Sequence, residues 1–194
     1  THKMVALFRI PDNITDAIEI KDVVPKTGCA VRILQASSGE GEIQFVAEGV
    51  QRVEITSWLT DKPPYLVEVK YKESDPDESD TELKAYAMAL IGALKELLPI
   101  NPLYSEELKQ YMNRFSPNDP APLADLAAAI TSANADELQE ILDTNNLIPR
   151  MQKSLAILKK EIEVAKLQTQ IREEVNKTIS ERQREFFLRE QLKV

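Results

Sequence analysis

Few residues of this chain have types and spacings suited to covalent chemistry. Its single histidine is His2 and its single cysteine is Cys29. A lone histidine at a chain end does not provide a buried Ser-His-Asp relay, which holds an imidazole between nucleophile and carboxylate. No HExxH and no paired cysteines occur, so zinc-ligand spacing is missing. There is no GxxxxGKS/T, and only five glycines are present, which leaves no glycine-rich phosphate cradle. Serines and lysines are plentiful, but nothing marks out one pair as a dyad. What the spacing does single out is non-covalent. Leu167, Ile171, Val175 and Ile179 recur every four residues, and Phe186 and Phe187 follow them. Such side chains bind by removing apolar surface from water, worth roughly 25 cal/mol per Å².

The element that must carry these residues is a helix. From Leu147 to Val194 there is no glycine, and the one proline, Pro149, falls in the first turn where proline is tolerated. Lys, Glu, Gln, Leu, Arg and Ala dominate, all strong helix formers. The spacing predicts one helix of roughly 70 Å at 1.5 Å per residue, too long to stay within the body of a domain this size. Leu155, Leu158, Ile162 and Ala165 follow the three-four spacing of a docked helix. Beyond them each step of four overshoots a turn by about 40°, so the apolar stripe winds round the helix. It is one residue wide and flanked by charge, which suits a partner helix or a passing chain. Phe186 and Phe187 point about 100° apart, so one is expected to pack on a neighbouring element while the other faces an opening or a second chain. Glu173–Lys177 and Glu185–Arg189 have the favourable (i, i+4) order.

Upstream, residues 81–146 read as a helical bundle. Ser79-Asp80-Thr81-Glu82 has capping-box spacing, and Leu83, Tyr86, Ala87, Leu90, Leu94 and Leu97 form a stripe before Pro99 and Pro102. Residues 105–115 place Leu108, Tyr111, Met112 and Phe115 on one face, and residues 122–131 place Leu123, Leu126 and Ile130. Asn134 to Glu137 is a second capping box, opening a helix with Leu138, Ile141 and Leu142 inward. Residues 73–80, acidic and containing a proline, read as a solvated linker.

Residues 1–72 read as strands: Met4–Ile10, Gly28–Gln35, Glu42–Ala47, Val50–Leu59 and Tyr65–Tyr71, separated by turn signals at Ser38-Gly39, Glu48-Gly49 and Pro63-Pro64. Short strands at this spacing predict a small twisted barrel or sandwich, and the whole chain is α+β. Cys29 reads as a buried structural cysteine and Trp58 as a core or subdomain-junction residue.

Composition narrows the function classes. Hydrophobic residues at 43 % and charged residues at 29 % are those of a folding globular chain. The net charge is −8, distributed as 13 Lys/Arg against 25 Asp/Glu over residues 1–149 and 11 against 7 over residues 150–194. An acidic body opposes nucleic-acid binding, which relies on phosphate neutralisation. No apolar run approaches the ~20 residues needed to span a bilayer, and there is no signal peptide, so no membrane partner and a cytoplasmic location are expected. One cysteine fits a reducing compartment.

Residues 183–193, Gln-Arg-Glu-Phe-Phe-Leu-Arg-Glu-Gln-Leu-Lys, resemble the segment of Lon proteases in which a long amino-terminal helix approaches the ATPase module. The family commonly has tyrosines where Phe186 and Phe187 stand. Glu48-Gly49-Val50-Gln51-Arg52-Val53 looks like the family's glutamate-glycine-hydrophobic-arginine turn, and Gly28–Gln35 resembles the strand before it. The resemblance spans essentially the whole chain. It implies a PUA-like β-rich subdomain (1–72), the linker (73–80), the bundle (81–146) and a long helix (147–194) leading to an ATPase module. The family's opening strand motif and its phenylalanine-proline-glycine turn are not found, so the β-rich subdomain is expected to be shortened, with an exposed edge. The chain also stops before the family's Walker motifs and serine-lysine dyad. The resemblance therefore implies a substrate-recognition and assembly segment, with no catalytic residue, cofactor or metal of its own, within a hexameric ATP- and Mg-dependent serine endopeptidase that degrades misfolded and regulatory proteins. Its expected partners are unfolded or damaged proteins and other protomers. Leu167, Ile171, Val175, Ile179, Phe186 and Phe187 are the candidate contacts. The alternatives are a purely structural oligomerisation or spacer element and an RNA-binding PUA-like module.

Overall fold

The structure is a computed structural model that describes residues 4–11, 20–39, 42–73, 80–100 and 120–191. The elements in chain order are β1 (Met4–Leu7), α1 (Ile20–Val23), β2 (Thr27–Gly39), β3 (Glu42–Trp58), β4 (Val67–Tyr71), α2 (Asp80–Leu97), α3 (Pro120–Ala129), α4 (Ala135–Asp143) and α5 (Leu147–Gln191). The helix expected over 105–115, most of the acidic linker and His2 lie outside the described residues. The chain divides into two compact units. One comprises residues 1–77 and 135–146, the other residues 78–134 and 147–194.

The first unit is built on one antiparallel sheet in the order β1-β2-β3-β4. This differs from the expected barrel or sandwich of many short strands. The reason is that β3 runs through Glu48-Gly49, where a tight turn was expected. Gly49 pairs with Val31 and Gln51 with Ala30, so Val50 is an extra residue absorbed as a bulge. A second bulge places Leu34 between Ile33 and Gln35, and a third places Thr56 between Ile55 and Ser57. The turn expected at Ser38-Gly39 is displaced, since both residues belong to β2, where they pair with Ile43 and Glu42. Among the described residues β1 and β4 are the sheet edges.

Gly28 shows why its position takes no side chain. A Cβ there would overlap the Leu7 carbonyl and the Phe8 ring, whose Cε1 would lie 2.6 Å away. Val53 is fully buried, and Ala30 and Val31, on opposite faces of β2, are each 5 % exposed. Residues 135–146 correct the sequence reading, which put them in the helical bundle. A capping box and a three-four stripe specify a helix but not the layer it joins. Here Ile141 is buried, and polar contacts fix the helix to the strands. The Gln139 side-chain amide donates to the Thr27 carbonyl (3.1 Å), Arg52 Nε to the Leu142 carbonyl (3.3 Å) and Asn145 to the Glu73 carbonyl (2.8 Å). Arg9 pairs with Asp136 at 2.6 Å.

Among the described residues the second unit has an apolar core formed where three helices meet. α2 supplies Ala87, Leu90, Leu94 and Leu97, with Leu83 and Tyr86 at its margin, as the stripe predicts. α3 contributes Leu123, Ala124 and Ala127, and α5 contributes Leu147, Met151, Leu158, Ile162 and Ala165. Ser132, just beyond α3, donates through its backbone N–H (2.9 Å) and hydroxyl (2.5 Å) to the Glu161 carboxylate on α5. Arg150 is buried beside Asp125, whose Oδ1 lies 3.6 Å from its Nη1.

Candidate partner-binding surface

The 45 residues of α5 hold the candidate contacts. Ala165 is its last buried residue among those described. Beyond it the stripe emerges: Leu167, Ile171, Val175 and Ile179 are 49–57 % exposed. They follow one another at about 6 Å per step, so the four span about 18 Å of helix. Phe186 and Phe187 are still more exposed, at 63 % and 67 %. Neither packs on a neighbouring element among the described residues, contrary to the expectation for one of them. Their rings instead meet edge to face, with centroids 6.1 Å apart and planes at 71°. The reason lies upstream: the helix has already left its bundle by this point, so the adjacent ring is the nearest apolar group.

The stripe's surroundings are polar. Arg172, Glu173, Glu174, Lys177, Glu181 and Arg182 flank it in sequence. The Thr169 and Thr178 hydroxyls donate to the carbonyls four residues back, Ala165 and Glu174, both at 3.0 Å. This arrangement offers a narrow apolar strip on a charged rod, suited to shallow contacts with apolar side chains of another chain.

A second apolar surface was missed in the sequence. Among the described residues β1 covers β2 only from Cys29 to Arg32, and β4 covers β3 only from Val53 to Trp58. The stretch of β2 and β3 beyond them is therefore a two-stranded ribbon, on which Leu34, Ile43, Phe45 and Val46 are exposed. Ile43 and Phe45 share a face, with Ser38 and Ala36 opposite them. The alternation in residues 42–47 signalled that face. It could not show that the flanking strands stop short of it.

The two residues singled out in the strand region are less buried than expected. Cys29 is half-buried, its thiol 3.4 Å from the Ala30 carbonyl. Trp58 is half-buried, edge-on to Tyr65 at 5.9 Å, with the Lys21 ammonium 5.9 Å from its ring centroid. Lys21 also donates to Asp61, and this hydrogen bond, together with the charge, holds the Asp61 carboxyl below its ordinary value. Among the described residues no three His, Cys, Asp or Glu are grouped to hold a metal, and no helix is long and apolar enough to cross a membrane.

Comparison with known proteins gives this surface its context. The family model of the ATP-dependent protease La (LON) substrate-binding domain matches residues 2–160. The chain belongs to the Lon substrate-binding domain family. Lon protease 2 of Hydrogenovibrio crunogenus is 49 % identical over 168 residues, covering 87 % of this chain and 19 % of that protein. A Lon protease of Chlamydia pneumoniae is 40 % identical over 195 residues, covering 100 % of this chain and 24 % of its own. The chain thus spans about a fifth to a quarter of the length of these Lon relatives. The N-terminal domain of the Mycobacterium avium complex Lon protease aligns with a TM-score of 0.58 at 21 % identity, over 81 % of this chain and 90 % of that one. That likeness concerns the α+β fold. The Lon family model ends at residue 160, so the exposed half of α5 lies beyond the part it describes.

Proposed function

We propose that this Lon substrate-binding domain captures unfolded or damaged polypeptides in the cytoplasm through the exposed apolar stripe of α5, and that it contributes assembly contacts in a homo-hexameric, ATP-dependent serine protease. The carrying observation is the run Leu167, Ile171, Val175, Ile179, Phe186 and Phe187, each about half exposed or more on one helix. Unfolded chains share exposed apolar side chains but no sequence, and a narrow, shallow strip grips such side chains without demanding a fixed shape. The exposed ribbon around Ile43 and Phe45 is a second strip of the same chemistry. In this reading nucleotide hydrolysis, Mg binding and peptide cleavage by a serine-lysine dyad belong to other parts of the parent protease.

The test is binding of the purified chain to a fluorescently labelled protein in folded and permanently unfolded forms. Selective binding of the unfolded form, weakened at least tenfold (about 1.4 kcal/mol) by Ile171→Glu with Val175→Glu or by Phe186→Ser with Phe187→Ser, is the expected result. A second reading, a purely structural assembly element, is favoured by the stripe's narrowness. Under it, Ile171→Glu with Val175→Glu abolishes self-association while any binding of unfolded protein by the rest of the chain persists. An RNA-binding role is opposed by the acidic body. It would require affinity that falls steeply with salt.

A further inference from the structure

The long helix changes its means of support part-way along. Up to Lys166 it is held by others: Ala165 is buried, and Lys166 pairs with Glu96 of α2 at 2.5 Å. From Leu167 to Gln191 every described side chain is exposed except the half-buried Thr169, and the Thr169 and Thr178 hydroxyls bond back along the same helix. Its helicity therefore rests on propensity and on the docked half, which supplies the nucleus that an isolated helix must form at a cost. Propensity is not even along it. Five of the six residues Val175-Asn176-Lys177-Thr178-Ile179-Ser180 are weak helix formers, while the stretches on either side are rich in Glu, Arg, Gln and Leu.

We propose that α5 is a rod with a built-in flexing segment. The docked half, to about Lys166, unfolds only with its bundle. The arm beyond it melts independently, and Val175–Ser180 is where it gives way first. The device converts a stiff spacer into a tether without disturbing the domain that carries it. Anything that binds the arm and favours helix stiffens it, because ligands shift such an equilibrium by their differential affinity for the two states. The inference is independent of whether the arm binds substrate, since it concerns the helix's own stability.

Amide hydrogen exchange of the whole chain, residue by residue and at a dilution where sedimentation shows monomer, tests it. We expect amides of residues 170–191 to exchange at least about a hundredfold faster than those of residues 150–165, because the former open by local fraying and the latter only with the bundle. A step in protection close to Lys166 and a minimum within residues 175–180, before the fraying distal end, are the expected signature. The triple change Asn176→Ala, Thr178→Ala and Ser180→Ala should slow exchange in the arm by about tenfold, the sum of three propensity gains. It should leave the midpoint of the cooperative thermal transition unchanged. Equal protection on both sides of Lys166 in the monomer would overturn the proposal. So would a triple variant that shifts the cooperative transition or leaves arm exchange as it was.

Discussion

The two halves of α5 belong to one unbroken helix and have opposite surroundings. Between Leu147 and Ala165 the apolar residues fall on spacings that return to one face, and α2 and α3 cover that face. Between Leu167 and Ile179 they fall every four residues, drift round the axis and remain half exposed. The lesson is that a regular apolar stripe is not by itself a core. A stripe that keeps its bearing builds a bundle, whereas one that winds and is a single residue wide has too little face to be buried by a flat neighbour.

The sharpest way to break this comparison is truncation on each side of it. Leu158→Ala removes a fully buried side chain and should cost about 2–5 kcal/mol of unfolding free energy, through lost transfer energy and the cavity left behind. Ile171→Ala, at 52 % exposure, should stay within about 0.5 kcal/mol, both values being read by urea titration. Similar losses at both sites would mean that the exposed half is docked in solution and that the contrast is false.

A smaller effect concerns the other unit. Asp61, bonded to Lys21, has its carboxyl held below 3.8 in the folded chain. Stability from that pair is present above the ordinary carboxylate range and is lost as pH falls through the lowered folded value. A carboxyl-resolved NMR titration should place the Asp61 midpoint below 3.8, and Lys21→Met should return it upward. An unmoved midpoint in that variant would remove Lys21 as the cause. The smallest effect lies on the arm. Glu173→Gln breaks the favourable order with Lys177 and should lower arm helicity by only a few tenths of a kcal/mol, less still in high salt. Far-UV circular dichroism at low and high ionic strength reads it, with no change expected in the melting of the docked half.

Much of the fold was legible because local chemistry set it. Asp80 opens α2, Asn134 stands ahead of α4, and Pro149 sits in the first turn of α5. The stripe on α2 is buried at Ala87, Leu90, Leu94 and Leu97, with Leu83 and Tyr86 partly buried at the core's margin. Glu48-Gly49 misled, because a glycine beside a charged residue reads as a turn while the strand simply absorbs Val50 as a bulge. Helix α4 was legible as a helix and misassigned as to its layer, since nine residues with a three-four stripe fit a sheet or a bundle equally well. The candidate contacts on α5 were legible as a pattern. Their exposure was not, because exposure depends on where the neighbouring helices end.

The sequence by itself determined helices α2 to α5, the strand regions between Met4 and Tyr71, the absence of nucleotide and zinc motifs, and the winding stripe from Leu167 to Ile179. These are properties of short stretches, governed by propensity, spacing and charge. Only the tertiary structure decided that β2 and β3 outrun their neighbours, that α4 belongs with the strands, and that Ala165 is where burial ends along α5. Each of those depends on which distant surfaces meet, and the free energy of that choice is shared among residues far apart in the chain.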